Sequence, residues 1–246
     1  MASPHHASRP ITRPMRLNAG HVALVQRGVP IDDDAGPPPG TEKSTDADYD
    51  ATVAALLATG PDPAEMWFFA YGSLIWKPAC AFVEIRTGVV RGWHRAFCLG
   101  WNTRFRGSPQ NPGLMLALDH GGACKGVAYR VPPGEAQANL RKLVEREMGW
   151  KPSSFPPRWV DVVTRDGRIR ALTFCIDRHS GRYVSGLSEA EIAAVLARAV
   201  GARGSMAEYL FNTITHLESL GIHDPHLWRL QDLVAAQIEA ALGPPA

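Results

Sequence analysis

An α+β fold, built on a small, curled, mixed barrel-like sheet with flanking helices, is what this 246-residue chain predicts. Three observations carry that expectation. Residues 66 to 130 hold apolar, strand-like runs (Met66 to Ala70, Phe82 to Val90, His94 to Trp101, Leu114 to Leu118, Cys124 to Arg130) punctuated by Gly, Pro and Asn, a spacing that suits a small barrel. A hairpin signal follows, Trp159 to Thr164 and Ile169 to Ile176 around Asp166-Gly167. Strands come first and helices last, the order of an α+β chain.

Taken in order, residues 1–14 carry prolines and no hydrophobic pattern, and His5-His6 reads as tail composition. Leu17 to Val25 can form a short helix, with Met15 an alternative start. Residues 29–49, with Asp32-Asp33-Asp34 and Pro37-Pro38-Pro39-Gly40, have the composition of a flexible linker. Thr45 or Asp46 can cap a helix to about Leu57, with Tyr49, Val53 and Leu56-Leu57 on one face, closing at Gly60-Pro61. The division expected is therefore a partly flexible extension over residues 1–65 and a compact domain over 66–246. Residues 1–44 contain little to pack and are expected to be dispensable. Gly121-Gly122 reads as a hairpin turn, and Pro132-Pro133 opens an amphipathic helix through Met148, stopped by Gly149. Ser188, Ser205 and Asp224-Pro225 start helices reaching about Val200, Leu220 and Leu242.

Composition bounds the function. A net charge of +2 and a pI near 8.4 set up no strong field, so neither nucleic acid nor a membrane surface is indicated as partner. No apolar run approaches the roughly 20 residues that span a bilayer, and the N-terminus lacks the apolar segment of a secretory signal. Cys80, Cys98, Cys124 and Cys175 are far apart with no Cys-x-x-Cys, so zinc and thioredoxin chemistry are unsupported and reduced, mostly buried thiols in a cytoplasmic protein are the expectation.

Two stretches could carry chemistry. The apolar run from Met66 stops at Tyr71-Gly72-Ser73 and resumes as Leu74-Ile75-Trp76 before Pro78. Gly72 permits a φ > 0 or a closely approached backbone, and successive N–H groups at such a corner can receive a carboxylate. An ordinary β-turn is the competing reading. Glu147 falls in the last turn of its helix, beside Met148 and Trp150. The negative helix end and partial burial both disfavour its charge and suit it to proton transfer. The alternatives are an exposed Glu147, or one paired to Arg146 or Arg141. Ser73 lacks the Gly-x-Ser-x-Gly frame of a hydrolase nucleophile, and Gly201-Ala202-Arg203-Gly204-Ser205 lacks the lysine of a phosphate-binding loop.

The blocks Phe69-Ala70-Tyr71-Gly72-Ser73-Leu74-Ile75-Trp76, Arg106-Gly107, Gly126-Val127-Ala128-Tyr129-Arg130, Arg146-Glu147-Met148 and Glu208-Tyr209-Leu210 resemble the ChaC family of glutathione-specific γ-glutamylcyclotransferases. The resemblance runs from about Met66 to Leu242. It implies that Tyr71, Gly72, Ser73 and Leu74 bind the γ-glutamyl group of glutathione, chiefly its α-carboxylate. It implies that Glu147 is the catalytic acid/base, and that Arg106 and Tyr209 lie near the same substrate. The fold implied is the γ-glutamylcyclotransferase-like one, with residues 66–246 as the catalytic domain, and no cofactor is needed. A γ-glutamylamine cyclotransferase would share the corner and the glutamate. A non-catalytic γ-glutamyl-binding module would keep the corner without needing Glu147.

Overall fold

The computed structural model describes residues 14–26 and 40–245. His5-His6, the acidic triplet and the proline run lie outside them. In chain order the elements are α1 (Ala19–Gln26), β1 (Glu42–Lys43), α2 (Asp46–Thr59), β2 (Trp67–Ala70), β3 (Glu84–Asn102), β4 (Gly113–Arg130) and α3 (Ala136–Glu147). There follow β5 (Trp150–Lys151), β6 (Pro157–Thr164), β7 (Gly167–Phe174), α4 (Glu189–Leu196), β8 (Val200–Gly201), β9 (Gly204–Ser205), α5 (Met206–Ser219) and α6 (Pro225–Leu242). Short 3₁₀ turns occupy Pro63–Glu65 and Ser73–Ile75. Two compact units result, one containing residues 40–99 and 116–183, the other 14–26, 100–115 and 184–245.

The first unit is organised by a closed barrel in the order β2-β4-β3-β6-β7. Closure is parallel, with Phe68 of β2 opposite Leu172 of β7, whereas β2 runs antiparallel to β4 from Trp67↔Arg130 to Ala70↔Val127. All four residues of β2 are buried, as its unbroken apolar run requires of a strand covered on both faces. The β6–β7 hairpin turns as expected, with Gly167 at φ +120, a conformation that glycine adopts without steric penalty. Helix α3 buries Ala136, Leu140, Leu143 and Val144, and α2 buries Val53 and Leu56. Arg141 of α3 ties the two helices together through Asp46 and Asp50.

Two expectations are corrected here. The short runs from Phe82 to Trp101 and from Leu114 to Arg130 are two long strands, β3 of 19 residues and β4 of 18. Gly121-Gly122 is no hairpin turn: both residues sit inside β4 with positive φ, as Gly92 does inside β3. Glycines absorb the left-handed kinks while the strands continue, so punctuation that reads as a break in sequence is a bend in space.

The second unit is helical. Ser188 and Glu191 form a reciprocal cap on α4, the Ser205 hydroxyl accepts from Glu208 N–H at 3.0 Å on α5, and Asp224 accepts from the N–H groups of His226 and Leu227 on α6. Each satisfies N–H groups that the first helical turn leaves without carbonyls. Helix α1 packs on α5 and α6. Leu17 just ahead of it is 0% exposed, its N–H donates to Gln231 Oε1 at 2.8 Å, and His21 lies 3.0 Å from Glu239. The early chain therefore does contain material to pack, contrary to the sequence expectation for residues 1–44. No described helix is long and apolar enough to cross a membrane.

Candidate active site

Strand β2 delivers the chain to the corner at Tyr71, where buried hydrogen bonds fix the backbone. The Tyr71 carbonyl accepts from Arg95 Nε at 2.7 Å, and the Tyr71 hydroxyl donates to the Phe174 carbonyl at 3.0 Å. Tyr129 donates its hydroxyl to the Ile75 carbonyl at 3.1 Å, closing the other side. Arg95 is itself buried and is also held by the Lys125 carbonyl at 2.6 Å.

The corner then tightens into the Ser73–Ile75 turn, with Ile75 N–H bonded to the Gly72 carbonyl and Lys77 N–H to the Ser73 carbonyl, each at 2.9 Å. The N–H groups of Gly72, Ser73 and Leu74 open this turn, ahead of any carbonyl the turn itself can offer them. Gly72 has φ −142, so the left-handed conformation considered from the sequence is not the one adopted. Leu74 is buried.

Glu147 is the last residue of α3. Its side chain is 17% exposed, and Oε1 lies 3.1 Å from Arg146 Nε. Of the alternatives open at the sequence level, exposure and a pairing with Arg141 are not what is seen, whereas the third, a pairing with Arg146, is. Arg141 is instead engaged by Glu145, Asp46 and Asp50. Arg146 makes the connection that matters most: Nη2 donates to the Ser73 hydroxyl at 3.2 Å and Nη1 to the Lys77 carbonyl. One guanidinium thus joins the Tyr71–Leu74 corner to the Glu147 carboxylate. Sequence reasoning passed over Arg146 as a site residue, although it stands in the Arg146-Glu147-Met148 block.

Glu147 also lines a small recess with Thr41, Trp150, Ser153, Phe155 and Arg182. Burial lowers the pKa of the Arg182 guanidinium from its ordinary value. The loop bearing Arg182 is anchored by Asp119, which accepts from Arg178 Nε at 2.6 Å and from the Tyr183 hydroxyl at 2.9 Å. Burial pushes the Asp119 carboxyl up, and the bonds from Arg178, the His120 N–H and Tyr183 outweigh it, so the net direction is down.

Arg106 and Tyr209 belong to the helical unit and lie together there. Asn102 Oδ1 accepts from the Phe105 and Arg106 N–H groups and shapes the turn that carries Arg106. The Arg106 guanidinium donates to the Ser205 carbonyl at 2.8 Å and to Glu208 at 2.9 Å, and its carbon stands 5.2 Å from the centre of the Tyr209 ring. Cation, carboxylate and aromatic face meet in this cluster, in which Arg106 and Tyr209 are buried and Glu208 is partly exposed. The four cysteines are free and buried, and burial pushes the thiols of Cys80, Cys98 and Cys175 up to about 12, which leaves these three few thiolates to act as nucleophiles.

Residues 66–237 match the family described as ChaC-like protein. The glutathione-specific γ-glutamylcyclotransferase of Escherichia coli K12 is 42% identical over 178 residues, covering 72% of this chain and 76% of that protein. The human glutathione-specific γ-glutamylcyclotransferase 1 is 32% identical, covering 72% and 82%. Among solved structures, a yeast γ-glutamyl cyclotransferase specific to glutathione superposes with a TM-score of 0.61 at 22% identity, covering 70% of this chain and 96% of its own, a likeness of fold.

Proposed function

The chain belongs to the ChaC family, and from that premise we propose that it degrades glutathione by cyclising the γ-glutamyl group, releasing 5-oxoproline and Cys-Gly. In this reading residues 66–246 carry the catalytic fold, residues 1–65 form an extension, and the protein works as a cytoplasmic monomer. The single observation that carries the reading beyond family membership is the Arg146 link between Ser73 and Glu147.

The chemistry asks little of the protein in covalent terms. The substrate's own α-amine attacks its δ-carbonyl carbon, a five-membered ring closes, and the bond to the cysteine nitrogen breaks. No external nucleophile is consumed. The protein must fold the γ-glutamyl chain, free the amine of its proton, stabilise the oxyanion and give the leaving nitrogen a proton. The N–H groups of Gly72, Ser73 and Leu74 are assigned the α-carboxylate. Glu147 takes the ammonium proton, the ring nitrogen gives up its second proton to water once the ring has closed, and Glu147 passes its proton to the leaving nitrogen as the C–N bond breaks, so one carboxylate serves as base and then as acid. Arg146 holds the span between these two tasks. Arg106 and Tyr209 are given no step in this scheme.

The test is direct: purified protein is given glutathione, γ-Glu-Ala and γ-glutamyl-ε-lysine, and 5-oxoproline is scored. The reading expects release from glutathione well above the other two. Preferential turnover of γ-glutamyl-ε-lysine would contradict it.

A further inference from the structure

Residues 41–44 precede the stretch that matches the family, yet they touch the helix end that presents Glu147. Thr41 lines the same recess as the carboxylate. Strand β1 pairs antiparallel with β5, Glu42 opposite Lys151 and Lys43 opposite Trp150, and Trp150 is another wall of that recess. Lys151 Nζ fastens the pairing from outside, 2.8 Å from Asp48 and 3.3 Å from Glu42.

Ser44, itself buried, makes the closest connection. Its hydroxyl donates to the Met148 carbonyl at 2.7 Å and its N–H to the Gly149 carbonyl at 3.1 Å. Carbonyls at a helix C-terminus have no partner further along the helix and must find one elsewhere. The Met148 and Gly149 carbonyls lie just past the end of α3, and the partner of the Met148 carbonyl comes from 104 residues away in the chain. The two carbonyls so held directly follow Glu147.

Resting on the cyclotransferase reading above, we propose that residues 41–44 form a strap across the end of α3 that carries Glu147, and that Ser44 is a positioning residue acting through Glu147. A carboxylate that moves one proton between two nitrogens depends on placement: a misplacement of about 1 Å can cost on the order of a hundred-fold in rate. The strap fixes the backbone immediately after that carboxylate.

The experiment uses the full chain. Ser44→Ala is expected to lower kcat on glutathione by roughly ten- to a hundred-fold with little change in KM. Ser44→Thr, which keeps the hydroxyl, should recover most of the loss. In a Glu147→Gln background the Ser44→Ala effect should vanish, because the group it positions is gone. Thr45→Ala is the structural control: it removes the α2 cap, so it should lower the thermal midpoint and leave kcat in place. Hydrogen exchange at residues 148–151 should quicken in Ser44→Ala whatever the activity. Parental kcat in Ser44→Ala, an undiminished loss in the Glu147→Gln background, or the same loss in Thr45→Ala would each overturn the positioning role. Unchanged exchange at 148–151 would overturn the strap itself. A parent chain releasing no 5-oxoproline would instead remove the cyclotransferase reading, an outcome separable from exchange because exchange needs no turnover.

Discussion

The Arg146 guanidinium meets three groups at once: the carboxylate of its neighbour Glu147, the hydroxyl of Ser73 and the carbonyl of Lys77. Lysine cannot reproduce that fork, since its ammonium is a single point on a flexible stem. Arg146→Met and Arg146→Lys are therefore both expected to lower kcat/KM for glutathione by about ten- to a hundred-fold, the scale of one charge-assisted hydrogen bond. Steady-state release of 5-oxoproline checks this, and a fully active Arg146→Lys protein would show that only charge matters there. Ser73 is assigned a binding contact rather than a covalent role. Ser73→Ala should raise KM about ten-fold, the effect of losing one hydrogen bond to the charged Arg146 guanidinium, and keep turnover measurable. A glutamyl adduct trapped on Ser73 would contradict the mechanism.

The loop after β7, which brings Arg182 to the recess, is held by Asp119. Because the bonds from Arg178, the His120 N–H and Tyr183 depress the Asp119 pKa in the folded protein, its contribution is complete above the ordinary carboxylate value near 3.9 and is lost as pH falls through the depressed folded value. Asp119→Asn should cost about 1–3 kcal/mol in urea unfolding at pH 7, with the gap to the parent narrowing below pH 4. A gap that stayed constant with pH would contradict the assignment. Legibility at this scale followed locality. Caps at Thr45, Ser188, Ser205 and Asp224 could be read because a cap and its helix are neighbours in sequence. The break of the apolar run at Tyr71 and the place of Glu147 at the end of α3 could be read because each lies within a short distinctive stretch. The lengths of β3 and β4 could not, since Gly92, Gly121 and Gly122 look like ends when only their local preference is known. Nor could Ser44 or Thr41, whose partners lie a hundred or so residues on.

At the scale of the whole chain, the early residues supply packing and part of a wall. Leu17→Ala is expected to destabilise the folded state by about 2–5 kcal/mol, the usual cost of emptying a fully buried leucine site. Denaturant unfolding measures it, and a loss below about 0.5 kcal/mol, the range of surface changes, would contradict the packing. A chain begun at Thr45 would lack both Leu17 with α1 and the strap at 41–44, so losses in stability and in turnover are both expected of it. Above these stands the claim that one carboxylate moves the proton in both directions. Glu147→Gln keeps the shape of the side chain and removes the carrier, while Glu145→Gln changes a carboxylate engaged with Arg141. The decisive measurement is kcat for 5-oxoproline release from glutathione in these two proteins. The account predicts a fall on the order of 10²–10⁴-fold for Glu147→Gln with substrate affinity much less affected, and near-parental turnover for Glu145→Gln. Parental turnover in Glu147→Gln would contradict it.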